Sequence, residues 1–199
     1  MTDANANDAN DATNEQLQLV ERWIGYGYHA ADAIDGWIEE NAAADAGVDL
    51  ERVKDFAAAA FARKRAAETR WPEDTDCDRL DRAFAALHEQ GVCAVQWAGD
   101  TLDEGLAPVG DQINADGVPQ GRYTGYCFFH SQDMDHALDG EGLMLAFGPV
   151  DAETEADAVR IGRRVCEALQ REGLRTEWDG TVEHRIAVPG LRWQRRTPD

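Results

Sequence analysis

Lysine is nearly missing from this sequence. Only Lys54 and Lys64 occur, beside 17 arginines, against 39 aspartates and glutamates. The shortage of base is uneven. Residues 1–157 hold 10 basic side chains against 33 acids, a net of −23, whereas residues 158–199 hold 9 against 6, a net of +3. A phosphate backbone needs clustered cations, so nucleic acid is not expected as a direct ligand. Anionic membranes are disfavoured for the same reason. Nor is there an apolar run of the roughly 18 residues that a transmembrane helix requires. The opening MTDANANDANDATN lacks the basic and apolar stretches of a signal peptide, and a cytoplasmic location is the expectation. No CxxC pair joins Cys77, Cys93, Cys127 and Cys166, and scattered thiols in such a chain read as buried and reduced. No GxGxxG loop, GxSxG elbow, HExxH helix or kinase signature is present, so no cofactor is expected.

What is present is acid and enough apolar material for a core, at 43% of residues. The acidic field fits a basic protein partner, whose association it accelerates, or a chain kept apart by self-repulsion. An Asp-rich, Lys-poor surface is equally a mark of salt-adapted proteomes, with the Ala and Arg content pointing to a GC-rich genome.

Residues 1–14 have almost no apolar side chains and are expected to form a disordered acidic tail. Residues 15–70 read as a small helical unit. Leu17, Val20 and Ile24 form one stripe, Ile34, Trp37 and Ile38 a second, and Val53, Phe56, Ala60 and Phe61 a third. Trp71-Pro72 marks a boundary, and residues 71–199 read as a sheet domain. Thr75, Asp76 and Asp78 are capping types ahead of Leu80, Phe84 and Leu87. Val92–Trp97, Tyr123–Phe129 and Leu143–Phe147 are apolar on both faces, as central strands are. Residues 99–121 read as a long loop, and Ser131–Leu138 as two helical turns. Asp151–Glu172 is the clearest helix, with Ala158, Ile161, Val165 and Leu169 on one stripe and Gly162 allowing close approach to a sheet. Asp179-Gly180, between Arg175–Trp178 and Glu183–Val188, predicts a two-residue hairpin turn. The fold class is α+β or α/β: a mixed sheet of about five strands with flanking helices, preceded by a small helical unit. Phe84, Phe128, Leu145, Ile161 and Val165 are the expected core.

Several segments resemble an uncharacterised bacterial family, one of the domains of unknown function. They are DCDRLDRAF (Asp76–Phe84), GVCAVQWAG (Gly91–Gly99), YCFFHSQD (Tyr126–Asp133), GLMLAFG (Gly142–Gly148) and Gly173–Ile186 around EWDG. The likeness covers residues 71–199 and, more weakly, the helical part. It implies one homologous folded unit and assigns no catalytic residue. The stretch Trp97–Gly105 departs from that family's pattern.

His130, Gln132, Asp133 and His136 form the densest polar cluster. Two imidazoles and a carboxylate are ligands for a divalent metal with an open position, so His130, Asp133 and His136 define a metal-assisted hydrolase as the alternative function. The simpler reading is helix capping by Ser131 or Asp133, with His136 exposed. Cys127 lies three residues before His130, so the two side chains point to opposite faces of a strand and form no local dyad. Trp97, Asp100, Tyr126 and Trp178 are candidates to line a groove, with packing of Trp178 against the sheet as the plainer account. The favoured expectation is an acidic protein-binding or regulatory module that works without catalysis.

Overall fold

The computed structural model describes residues 2–41, 47–116, 122–151 and 154–198. It divides into two compact units, the residues before Asp74 with those after Trp193, and Asp74–Trp193.

The first unit contains α1 (Thr2–Tyr26), α2 (Ala31–Asn41) and α3 (Leu50–Glu68). The three expected stripes meet: Val20, Ile24, Ile34, Ile38, Val53, Ala57, Ala60 and Phe61 form one buried cluster. α1 begins at Thr2 and not after residue 14, so residues 2–14, read as part of a tail, are helical. Polar side chains, which the apolar pattern does not weigh, tie its end down. Thr13 is buried and accepts the Asp49 N–H at 3.0 Å, and Arg52 donates to Asn10 and Asn14 at 3.1 Å each. The C-terminal residues, expected with the sheet, belong to this unit instead. Lys64 donates to Glu68 at 2.7 Å, to the Arg195 carbonyl at 2.7 Å and to Thr197 at 2.8 Å, while the Thr197 N–H and hydroxyl donate to Glu68. Burial would raise the Glu68 carboxyl, but the bonds from Lys64 and Thr197 outweigh it and hold the pKa below the ordinary value.

The second unit runs α4 (Asp76–Glu89), β1 (Val92–Val95), α5 (Leu106–Ala115), β2 (Gly125–Phe128), α6 (Ser131–Leu138), β3 (Leu143–Pro149), α7 (Glu155–Arg171) and β4 (Ile186–Val188). It is α+β. The described residues form four strands, not about five, in the order β1-β2-β3-β4. β1 and β2 are parallel, joined through α5, and the other two pairings are antiparallel. Thr75 and Asp78 make the expected capping box, with Thr75 N–H to Asp78 at 2.8 Å and Asp78 N–H to Thr75 at 3.2 Å.

Strand alternation sorts the two faces. Cys93, Phe128 and Ala146 pack with Val109 of α5 on one side. Cys127 and Phe147, paired in register, lie on the other, where α7 packs. There the absent side chain of Gly162 leaves room for rings: a Cβ would stand 2.6 Å from Trp178 and 2.8 Å from Phe147. All five expected core residues are buried. β1 is an edge strand, not a central one, and is buried because helices α4 and α5 pack against it.

Two local expectations change. The 99–121 loop contains helix α5, hidden from sequence reading by Gly105, Pro108 and Gly110; Pro108 sits in the first turn, where its missing N–H costs nothing. Residues 117–121 lie outside the described residues. Asp179-Gly180 is not a hairpin turn. Glu177 makes a single bridge to Ala187, so a loop separates the two sides. Asp179 accepts the Thr181 N–H and hydroxyl at 3.0 and 2.9 Å, which bends the chain locally, and Gly180 takes the anticipated positive φ of 85°.

Candidate functional site

α6 starts directly after β2, so His130 is its N-cap and Asp133 its third residue. Asp133 is 1% exposed and His130 4%. The Asp133 carboxylate accepts the His130 N–H at 3.2 Å and Arg185 Nη1 at 2.9 and 3.1 Å. Arg185 comes from the residue before β4. Its side chain is 32% exposed, so it reaches from solvent to a buried anion. His130 Nε2 lies 3.2 Å from Asp133 and 3.3 Å from Arg185 Nη1, and His130 Nδ1 is buried without a hydrogen-bond partner among the described residues. Burial lowers the His130 pKa from its ordinary value; Arg185 and His136 push the same way, and Asp133 and Asp100 oppose them.

The third residue of the metal alternative does not join this pair. His136 is exposed and its Nδ1 lies 2.7 Å from Glu141. Among the described residues no three His, Cys, Asp or Glu side chains converge as a metal site would need. Gln132 is exposed on α6. Asp133 caps the start of α6 through the His130 N–H and pairs with Arg185, a partner the sequence reading did not name.

A pocket of about 350 Å³ opens on the α5 face of the sheet. Its floor is Tyr126 and Phe128 of β2 with Ala146 of β3. One wall is Leu102, Asp103 and Leu106 at the start of α5, and the other is residues 182–185. Two devices shape it. Gly105 brings backbone against the Phe128 ring, where any Cβ would stand 2.1 Å from Cε2. Trp178, edge-on to Phe147 at 5.2 Å, donates its Nε1–H to the carbonyls of Thr181 and His184 at 2.9 and 3.2 Å and so holds the second wall. Leu102, Leu106 and Val182 are three of the five large apolar side chains exposed among the described residues. Burial raises the Tyr126 hydroxyl pKa.

Of the groove candidates, Tyr126 lines this pocket and Trp178 supports its wall from outside. Trp97, half-buried at a positive φ of 50°, and Asp100, which accepts from the Ser131 hydroxyl at 3.0 Å, do not line it. Sequence reading missed Leu102, Leu106 and Arg185. The first two carried a signal, since apolar residues in an acidic loop with no evident core role are unusual. Burial pushes the Cys93 thiol up to about 11 and that of Cys127 still higher, which disfavours their nucleophilic thiolate forms.

Comparison with known proteins places the chain. A family described as a domain of unknown function, DUF6891, matches residues 9–197. No curated protein and no solved structure matches. With all but the ends of its sequence matched, helical and sheet units alike, the chain belongs to the DUF6891 family.

Proposed function

We propose that this protein is a non-catalytic binding module that docks a basic protein segment on the α5 face of its sheet unit. One observation carries the reading. Residues 100–116 expose Asp100, Asp103, Glu104, Asp111 and Asp116, contain no Lys or Arg, and expose Leu102 and Leu106 among these acids. Acid interleaved with aliphatic side chains suits a partner that presents cations around an apolar anchor. The net charge of −20 adds long-range steering toward such a partner.

The test is selection of peptides from a random display library. Enriched sequences should combine Lys or Arg with an aliphatic or aromatic residue. Their association should slow as salt rises, because the Debye length falls from about 10 Å at 0.1 M to about 3 Å at 1 M. Neutralising Asp103 and Asp111 to Asn should weaken binding more than neutralising Asp32 and Asp35 of α2, which are also exposed. Equal losses at the two places would mean that net charge alone attracts the peptides. Binding indifferent to salt would remove the electrostatic basis.

A further inference from the structure

The pocket on the α5 face carries charged groups of both signs. Asp103 and Glu183 line it, are exposed, and neither makes a hydrogen bond or ion pair among the described residues. Arg185 also lines it. Its Nη1 is committed to Asp133 and His130, whereas its Nε and Nη2 make no hydrogen bond among the described residues. The buried Asp133 fixes the guanidinium in place, so its remaining donors are held ready and need no ordering on binding. Between these charges the floor is aromatic and aliphatic.

A positioned guanidinium with free donors can take an anionic group, and the carboxylates of Asp103 and Glu183 can take a cationic one. A ligand with one charge of each sign satisfies both and pairs with Arg185 through charge-assisted hydrogen bonds. Such a ligand has no net charge, so the protein's −20 neither draws nor repels it at a distance. The volume of about 350 Å³ is at the small end of ligand pockets, near the lower bound of roughly 300 Å³. We propose that this pocket binds a free apolar α-amino acid. Its carboxylate meets Arg185, its ammonium meets Asp103 and Glu183, and its side chain lies on Phe128 between Leu106 and Val182. This assignment shares Asp103 and Leu106 with the docking of a basic partner but does not depend on it.

The experiment is calorimetry and thermal unfolding of the full chain with five probes: leucine, phenylalanine, leucinamide, 4-methylpentanoate and glycine. Leucine or phenylalanine should bind saturably and raise the melting temperature, because a ligand specific for the folded state stabilises it by mass action. Leucinamide lacks the carboxylate and 4-methylpentanoate lacks the ammonium, and each should bind at least tenfold more weakly, about 1.4 kcal/mol. Glycine, without a side chain to bury, should give no shift at the same concentration. The double variant Asp103→Asn, Glu183→Gln should lose at least tenfold in leucine affinity while its ligand-free melting temperature is unchanged, since both residues are exposed. The proposal is overturned if neither leucine nor phenylalanine gives saturable heat at millimolar concentration. It is equally overturned if either one-charge analogue binds within about threefold of leucine, or if the double variant binds leucine like the unaltered chain.

Discussion

The Asp133–Arg185 pair predicts an asymmetry between its two ends. Arg185→Met removes a partly exposed cation and leaves the carboxylate, 1% exposed, with the His130 N–H as its main remaining partner. An uncompensated buried charge costs about 3–5 kcal/mol. Asp133→Ala removes the buried anion instead. Arg185 then turns to water, because its side chain is already 32% exposed. What is lost is the acceptor of the His130 N–H at the start of α6, about 0.5–2 kcal/mol, and the charge-assisted bond, about 1.5–3 kcal/mol. These sum to about 2–5 kcal/mol, and because water replaces the lost partner of the freed guanidinium the cost falls at the lower end of that range, below that of the arginine change. In the double variant no buried charge remains to be stranded, so its cost should fall close to that of Asp133→Ala alone. The assay is urea unfolding of the full chain followed by tryptophan fluorescence. Trp193, edge-on to Phe129 at 5.8 Å, reports next to the site. Two results would refute the reasoning: single-variant costs that add within about 0.5 kcal/mol, or an Arg185→Met cost below about 1 kcal/mol, which would mean that Asp133 is not held as a buried anion.

Leu145→Ala, at a fully buried site on β3, should destabilise by about 2–5 kcal/mol in the same assay; a change under about 0.5 kcal/mol would contradict its place in the core. Gly105→Ala should cost about 1–3 kcal/mol, because the new Cβ meets the buried Phe128 ring at 2.1 Å; an unchanged melting temperature would show that the α5 wall is free to move. Burial lowers the pKa of His130 in the folded chain, so as pH falls through about 6.5 the unfolded state takes up its proton first and stability declines. Above that pH this contribution is complete. Melting temperatures between about pH 7.5 and 5.5 should therefore slope for the unaltered chain and slope less for His130→Gln; parallel slopes would contradict the assignment.

Much of the fold was legible because it is local. Capping at Thr75 and Asp78, the stripe of Ile161, Val165 and Leu169, and the apolar runs of β1, β2 and β3 each repeat within one element, and periodicity records exactly such repeats. The positive φ of Gly180 was legible for the same reason, although the hairpin built on it was not. The bridge needs Glu177 and Ala187 to meet, whereas the Asp-Gly signal speaks only for the residues beside it.

The site was less legible. His130 and Asp133 are three apart on one helix start, so sequence could pair them, and their capping geometry followed. Arg185 joins them from 52 positions away, and its role appears only when β4 pairs with β3. The pocket is likewise a product of register. Phe128 faces Ala146 across β2 and β3, and Gly105 lets the start of α5 close over that ring. The sequence by itself determined the charge, the stripes, the caps and most strand positions, since these depend on side chains close together along the chain. Only the tertiary structure decided which charges share a pocket, because that depends on long-range strand pairing and on backbone approaches that no local pattern encodes.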